Sequence, residues 1–296
     1  MITFGRLVVA TGMLLFSAPD VAQARDWKIA TWNLDWLTLR HTGDPALPSN
    51  VRTRQDADFD RLHAYADKLN ADVVAFEEVD GVQAASRVFD PARYTLITIH
   101  EDVVQQVGLA VRHGITVQQN ADVAALDVEA DAPHKLRDGL DATLLFPGGA
   151  TLRVLAVHLK TGCHQDVMRT STRPQCVLLE KQLVPMAQWV AVRSAEGGAF
   201  ALLGDFNRVM DAPEEMAAAL ARAAPLLRVT EGQADPCWQG GSFIDHIFLG
   251  GPARAWLVAG SLRVMTYRGA EDGDRDRLSD HCPVSVRLSP PATPAQ

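Results

Sequence analysis

The sequence predicts a four-layered α/β sandwich, in which two mixed β-sheets pack face to face and helices cover them outside. Many short apolar runs are typical of strands, and a few longer segments have the period of an amphipathic helix. Hairpin turns join some strand segments and helical crossovers join others, so antiparallel and parallel pairs are both expected. The 296 residues are 47% hydrophobic and 22% charged, which fits a globular protein, and no linker favours two domains.

The first two dozen residues have the pattern of a signal peptide. A basic start at residues 1–6 precedes an apolar run at 7–18, and Ala22, Gln23 and Ala24 offer small residues for cleavage. The run is too short to span a bilayer comfortably, although a buried first helix is the alternative. We therefore expect cleavage near Ala24 and a periplasmic or secreted protein without a membrane anchor. The domain should cover residues 25–289, followed by a flexible tail at 290–296.

Strands and helices alternate through the first half of the mature chain. In one segment Phe59, Leu62, Ala66 and Leu69 recur at helical spacing, which predicts a helix laid on a sheet. A second, short helix should stop before Pro91. The predicted helices are 56–70 and 82–89, and the predicted strands are 27–34, 72–79, 94–99, 108–111 and 115–118.

The second half begins with a hairpin and then adds two helices. Residues 147–150, Pro-Gly-Gly-Ala, should join strands 142–146 and 151–159. A helix at 175–194 is expected to be interrupted or kinked at Pro185. Asp211 is predicted to cap another helix, with Pro213 in its first turn and Glu214 three residues after the cap. The remaining predicted strands are 199–203, 242–249, 255–267 and 282–288.

The four cysteines are even in number, which in an exported chain favours disulfide bonds. Cys163 and Cys176 bracket a polar loop with little else to order it, so we predict a bond between them. Cys237 and Cys282 are then the remaining pair, with buried free thiols as the alternative. No CxxC spacing indicates a metal site at these cysteines.

Polar residues stand where apolar strands end. In AFALLGDFNR, residues 199–208, Gly204 ends a strand and Asp205 and Asn207 follow two apart, so both can face one way. A carboxylate can bind a cation or take a proton from water, and an amide can donate to a phosphoryl oxygen; a plain turn is the alternative. Because buried charge needs a partner, we expect one shared site from all such residues, which also include Asn33, Glu78, His158, Asp245, Asp280 and His281.

Six segments in order resemble the endonuclease/exonuclease/phosphatase superfamily, the fold of deoxyribonuclease I: WNLDWL, DVVAFEEV, AVHLKTGC, LLGDFNR, IDHIFL and LSDHCPV. The resemblance covers residues 27–286 and implies metal ligands at Asn33 and Glu78, with Asp280 beside the metal or the histidine. It implies a catalytic set of His158, Asp205, Asn207, Asp245 and His281. Where many relatives have Gln, this chain has Glu77, which we expect to add negative charge near the cation.

The resemblance implies hydrolysis of a phosphate ester by water with a divalent cation, Mg²⁺ or Mn²⁺. Arg112, Arg137 and Lys160 are candidate contacts for substrate phosphate, with a structural role as the alternative for the arginines. A net charge of −8 argues against a strong grip on a long polyanion, so no stable nucleic-acid complex is expected. We expect a monomeric phosphodiesterase acting on nucleic acid. The alternatives are an enzyme for a small or lipid phosphate ester, and an inactive binding protein of the same fold.

Overall fold

The computed structural model describes residue 1 and residues 25–132, 135–211, 213–267 and 273–291. The predicted signal peptide, apart from Met1, and residues 292–296 of the predicted tail lie outside this part of the chain. Among the helices of the described residues, none is both long and apolar enough to cross a membrane.

The described residues form twelve strands and five α-helices. The strands are β1 (Trp27–Leu37), β2 (Val73–Val79), β3 (Tyr94–Thr98), β4 (Gln106–Arg112), β5 (Thr116–Gln119), β6 (Leu140–Leu145), β7 (Thr151–His158), β8 (Phe200–Asp205), β9 (Leu226–Arg228), β10 (Asp245–Gly250), β11 (Arg263–Val264) and β12 (Val284–Leu288). The helices are α1 (Asp56–Leu69), α2 (Gly81–Ala85), α3 (Pro174–Glu196), α4 (Glu215–Ala223) and α5 (Asp274–Arg277).

The strands form two six-stranded mixed sheets. The first has the order β11, β12, β1, β2, β4, β3, and the second has the order β5, β6, β7, β8, β10, β9. The β1–β2 and β7–β8 pairs are parallel, with Trp32 opposite Phe76 and His158 opposite Asp205, and the other neighbours are antiparallel. Each parallel pair therefore ends its two strands at the same edge of its sheet.

Three apolar cores define four layers. The central core lies between the sheets and includes Leu109, Leu203 and Val286. A second core packs α1 against the outer face of the first sheet, and a third packs α3 and α4 against the outer face of the second. This arrangement confirms the predicted α/β sandwich, in which both faces of each sheet are covered.

Gly204 allows β7 and β8 to approach closely at the end where the polar residues lie. Its φ is +145°, and a Cβ at this position would overlap the carbonyl oxygen of Val157. Only glycine fits such a backbone and such a contact. The strand does not end at Gly204 as predicted but continues to Asp205, which stands opposite His158.

The structure differs from two predicted helices. The predicted interruption at Pro185 is wrong, because the segment is one helix, α3, and a kink there stays a prediction. The carbonyl that the proline leaves free belongs to Lys181, an exposed residue where water can bind. The predicted cap at Asp211 is wrong, because α4 begins at Glu215. Glu214 caps it by accepting a 2.7 Å hydrogen bond from the Ala217 backbone N–H.

The predicted strand at 255–267 is also wrong in extent. Gly251–Trp256 forms a 3₁₀ helix, and only Arg263–Val264 pairs with β12 as a short edge strand. A short edge strand of this kind limits unwanted pairing with other chains. Both predicted disulfides are present, Cys163–Cys176 and Cys237–Cys282, with Cα separations of 5.0 and 5.6 Å.

Candidate active site

The candidate active site lies at the end of the sandwich where strand ends from both sheets meet. The first sheet supplies Asn33 and Glu78 at the ends of its parallel pair, and His281 just before β12. The second sheet supplies its residues from β7, from the end of β8 and from the start of β10, namely His158, Asp205, Asn207 and Asp245. The structure thus brings together seven of the predicted residues.

Asn33 connects carboxylates from the two sheets. Its side chain is fully buried, and Nδ2 donates to Glu78 Oε1 at 3.0 Å and to Asp205 Oδ2 at 3.1 Å. The other Glu78 oxygen accepts from the Trp36 backbone N–H at 3.3 Å and from Gln105 Nε2. Glu78 has a φ of +60°, a costly backbone conformation for a non-glycine residue. The fold thus holds this carboxylate in place from several directions.

Asp205 and Asn207 form a tight local pair. The Asn207 backbone N–H donates to Asp205 Oδ1 at 2.7 Å, and its Nδ2 donates to Asp205 Oδ2 at 3.1 Å and to the Leu159 carbonyl at 3.0 Å. Burial raises the pKa of Asp205 to about 7, although the positive charge of His281 opposes the shift. A carboxylate with this pKa can accept a proton from water near neutral pH.

His281 is held by a short ion pair to Asp245. Its Nδ1 lies 2.7 Å from Asp245 Oδ2, and the Tyr267 hydroxyl donates to its backbone carbonyl at 2.9 Å. Burial alone would lower the pKa of His281, but the Asp245 and Asp205 carboxylates together raise it well above its usual value. The imidazolium therefore points Nε2–H into the site, 3.8 Å from Asp205 Oδ2.

His158 has the opposite electrostatic character. Burial and the neighbouring Arg137 guanidinium lower its pKa well below the usual value, so the ring is neutral. Arg137 faces both ring nitrogens, with Nε 3.2 Å from Nδ1 and Nη2 3.3 Å from Nε2. His158 Nε2 also lies 3.4 Å from Glu78 Oε1 and 3.7 Å from Asp205 Oδ2. Arg137 Nη2 also donates to Gln105 Oε1 at 3.0 Å. Arg137 thus lies at the site, and its contact with substrate phosphate stays a prediction.

The donor chemistry fits a hard divalent cation. Glu78 and Asp205 present carboxylate oxygens on either side of Asn33 Nδ2, and carboxylate oxygens suit Mg²⁺. Asn33 Oδ1 accepts a 2.9 Å hydrogen bond from the Asp35 backbone N–H, so the amide would have to exchange this bond to ligate the ion. Ligand atoms of Asp205, Asp245 and His281 also lie within 4.8 Å of one another. Asp280 lies at the solvent side of His281, with 42% of its side chain exposed and Oδ1 3.7 Å from Nε2.

Glu77 does not behave as its sequence position suggests. The side chain is fully buried between the sheets, and Oε1 accepts from Thr31 Oγ1 at 2.8 Å. Burial, reinforced by the Asp245 and Asp205 carboxylates, raises the pKa of Glu77 well above its usual value. In the folded chain the neutral acid is therefore favoured over the carboxylate that the sequence position suggested.

The structure does not bring Arg112 to the site. Arg112 is the last residue of β4, and its neighbour Val111 pairs with Val73 at the start of β2. Glu78 lies near the other end of β2. The Arg112 guanidinium donates to Asp72 at 3.0 Å and to the Tyr94 hydroxyl at 3.0 Å. These bonds give it a structural role at the far edge of the sheet.

Lys160 lies two residues after His158 and is partly buried, while its backbone N–H donates to Gln182 Oε1 at 2.8 Å. The sequence interpretation missed Gln105 and Trp36, which both bond Glu78. Trp36 lies in the WNLDWL segment, but neither its position nor that of Gln105, in the loop before β4, carried a chemical signal.

Residues 30–281 match the model of the Endonuclease/Exonuclease/phosphatase family. No curated protein matches the chain at a significant level. Among solved structures, D. rerio TDP2, humanized by 14 mutations, is 20% identical with a TM-score of 0.58, covering 90% of this chain and 99% of that chain. The 3′ phosphatase NExo from Neisseria, bound to a product DNA hairpin, is 18% identical with a TM-score of 0.58, covering 88% and 99%. The human Nocturnin catalytic domain, with bound sulfate, is 15% identical with a TM-score of 0.57, covering 89% and 94%.

Proposed function

Because the chain belongs to the endonuclease/exonuclease/phosphatase family, we propose that it is a metal-dependent phosphodiesterase that hydrolyses nucleic acid by direct attack of water. The observation that carries this proposal is the convergence of seven chemically suited side chains at one end of the sandwich. They are Asn33, Glu78, His158, Asp205, Asn207, Asp245 and His281.

The metal ligands in this proposal are Glu78 and Asn33, with Asp280 as an outer ligand and Mg²⁺ or Mn²⁺ as the ion. A divalent cation held there supplies a Lewis acid that polarises a nonbridging phosphoryl oxygen and neutralises charge on the leaving oxygen. The hydrogen bonds that fix Glu78 on both of its oxygens prepare the carboxylate for this role.

The attacking water is assigned to Asp205. Its raised pKa of about 7 suits a general base near neutral pH, and the Asn207 amide and backbone N–H hold the carboxylate in one orientation. Asn207 can help hold a phosphoryl oxygen beside the water by giving up one of the two bonds that its Nδ2 donates, to Asp205 Oδ2 and to the Leu159 carbonyl. Position and proton acceptance thus come from Asp205 at the end of β8 and from Asn207 two residues later.

The two histidines are assigned to the charge that develops on the phosphoryl group. His281 is an imidazolium fixed by Asp245, so its Nε2–H can stabilise a pentacovalent phosphoryl group. His158 is neutral and presents Nε2 to the site from the opposite sheet, with the Arg137 guanidinium against its ring. We propose Arg137 and Lys160 as contacts for substrate phosphate.

Nucleic acid is the substrate class that the similar structures favour, since one holds D. rerio TDP2 with single strand DNA product and another holds a product DNA hairpin. The net charge of −8 favours the second candidate, a small or lipid phosphate ester. The two disulfides support an oxidising compartment, and we propose the periplasm or the exterior as the place of action.

The test is to incubate the purified protein with plasmid, single-stranded RNA and simple phosphate esters, with and without Mg²⁺. Hydrolysis should require the cation, and Asp205→Asn and His281→Ala should each lower turnover by about two orders of magnitude or more. Asp60→Asn and His113→Ala change the same residue types at exposed positions away from the site and should keep full activity. Full activity in Asp205→Asn or His281→Ala would refute the assignment.

A further inference from the structure

Two of the six tryptophans are only partly buried, and both border the candidate active site. Trp36 and Trp238 have φ values of +54° and +49°. This backbone conformation is costly for a bulky residue, so local backbone preference does not explain why tryptophan occupies these two positions. The other four are at most 7% exposed: Trp27, Trp32, Trp189 and Trp256.

Trp36 borders a cavity of about 370 Å³ on the Glu78 side of the site. Lys135, Arg137 and Gln105 also line it. Gln105 connects the cavity to the site, because it hydrogen-bonds both Glu78 and Arg137. The cavity thus offers an aromatic ring and two cations, and Gln105 connects it to the proposed metal ligand.

Trp238 borders a second cavity, of about 560 Å³, on the His281 side of the site. The wall includes the Asp245 and His281 side chains themselves, and Arg275 supplies an exposed cation. Trp238 stacks on Tyr267 with ring centroids 5.2 Å apart, so one face of its ring is fixed by the protein. This cavity therefore begins at the proposed catalytic histidine and has its own aromatic wall.

We propose that the two cavities bind the nucleosides on either side of the scissile phosphate, with Trp36 and Trp238 each stacking on one base. This inference rests on the proposed phosphodiesterase function and narrows its substrate. Aromatic rings that stack on bases, combined with a few cations for the backbone, are how proteins bind single-stranded nucleic acid. A terminal phosphate monoester would fill only one cavity, so the substrate is an internal diester.

The charges around the two cavities favour a single strand over a duplex. Lys135 lies 3.8 Å from Glu101 at the first cavity, and Arg275 lies 3.9 Å from Asp280 at the second. Asp102 and Asp235 add further acidic groups to the two walls. Affinity must then come mainly from stacking, since few phosphates can be neutralised. A base can stack on a tryptophan only after it leaves the stack of its own strand, which a single strand permits at little cost.

The experiment uses short single-stranded DNA with one cleavable phosphodiester and uncharged methylphosphonate at the other linkages. In two further substrates, a tetrahydrofuran spacer replaces the nucleoside on one or the other side of the cleavable bond. Trp36→Ala and Trp238→Ala should each lower kcat/KM on the complete substrate about 5- to 150-fold, the range expected for one stacked base. Trp36→Phe and Trp238→Phe should recover most of the loss.

The decisive comparison is the effect of each variant on each spacer substrate. The fall in kcat/KM that Trp36→Ala causes should disappear on one spacer substrate only, and the fall that Trp238→Ala causes should disappear on the other. In each case the spacer has removed the base on which that tryptophan would stack. Trp256→Phe, at the far end of β10, should match the wild type on all substrates. Equal losses on every substrate, no loss in either variant, or equally fast removal of a terminal phosphate would overturn the inference.

Binding separates this inference from the proposed function. An oligonucleotide of thymidines added to Asp205→Asn protein should quench tryptophan fluorescence, and the additional change Trp36→Ala or Trp238→Ala should remove part of that quenching. Quenching without hydrolysis of any ester by the wild type would refute the proposed function and keep the base-binding cavities. Hydrolysis of the diester without quenching would refute the cavities and keep the function.

Discussion

His246 makes the stability of this protein depend on pH in a way that can be calculated. It follows Asp245 on β10 but faces the opposite side, where its ring lies 5.7 Å from the Phe206 ring. The side chain is fully buried. Nε2–H donates to the Arg208 carbonyl at 2.9 Å, and Nδ1 accepts from the Thr230 hydroxyl at 2.6 Å. The neutral ring forms both hydrogen bonds, so protonation would add no further bond.

Burial, reinforced by the positive charge of Arg228, lowers the pKa of His246 from 6.5 to about 4. Above pH 6.5 the ring is neutral in the folded and unfolded chains, and its contribution to stability is complete. Below that pH the imidazole of His246 binds a proton in the unfolded chain but stays neutral in the folded chain, so the free energy of unfolding falls as the pH drops towards 4. Between pH 7 and pH 5 the loss from this group alone is about 2 kcal/mol.

The assay is urea unfolding of the wild type and His246→Gln at pH 7 and pH 5, with chelator present throughout. Other titrating groups are common to both proteins, so their effects cancel when the two pH differences are subtracted. The wild type should lose about 2 kcal/mol more than the variant over this interval. Equal losses in the two proteins would refute the reasoning.

Three further predictions test the remaining assignments. Arg112→Ala should lower the free energy of unfolding by about 2 kcal/mol, as measured by urea denaturation, and leave kcat unchanged; a fall in kcat would show that Arg112 acts in the site. In Mg²⁺ titrations of activity, Glu78→Gln should need a higher concentration for half-maximal rate than Asp280→Asn, because only Glu78 is held beside Asn33; the reverse order would exclude the proposed ligand set. Replacing Cys237 and Cys282 by serine should lower the free energy of unfolding by about 4 kcal/mol. It should also lower kcat, since Cys282 follows His281, and wild-type kcat in the variant would contradict this link between the disulfide and the site.

Much of the site could be predicted because strand ends have a simple geometry. Asn33 with Glu78, and His158 with Asp205, end two parallel pairs, and parallel strands bring their carboxyl ends to one edge. Apolar periodicity identifies those strands, and the polar residue that breaks each run marks its end. The sequence pattern alone does not say that both sheets place these edges at the same end of the sandwich. The resemblance of six ordered segments to a known family predicted that both edges lie at the same end.

The rest depended on contacts between distant segments, which local patterns do not contain. Arg112 looked like a phosphate contact, but strand pairing places it at the opposite edge of the sheet, against Asp72. Asp211 has the local features of a helix cap, yet its carboxylate accepts a 2.8 Å hydrogen bond from Ser242 and the helix starts later. Gln105 lies in a loop, and only the folded structure shows that it connects Glu78 to Arg137.

Two hydrogen bonds of the site depend on the distance between the two sheets. Asn33 and His281 belong to the first sheet, while their partners Asp205 and Asp245 belong to the second, at 3.1 and 2.7 Å. Both bonds can form only when the sheets sit at one separation, and that separation is set by the close packing of the apolar side chains between them. A smaller residue deep in that core, far from any phosphate, would then change the rate of hydrolysis as well as the melting temperature. We therefore expect the packing between the sheets to set the catalytic rate as well as the stability.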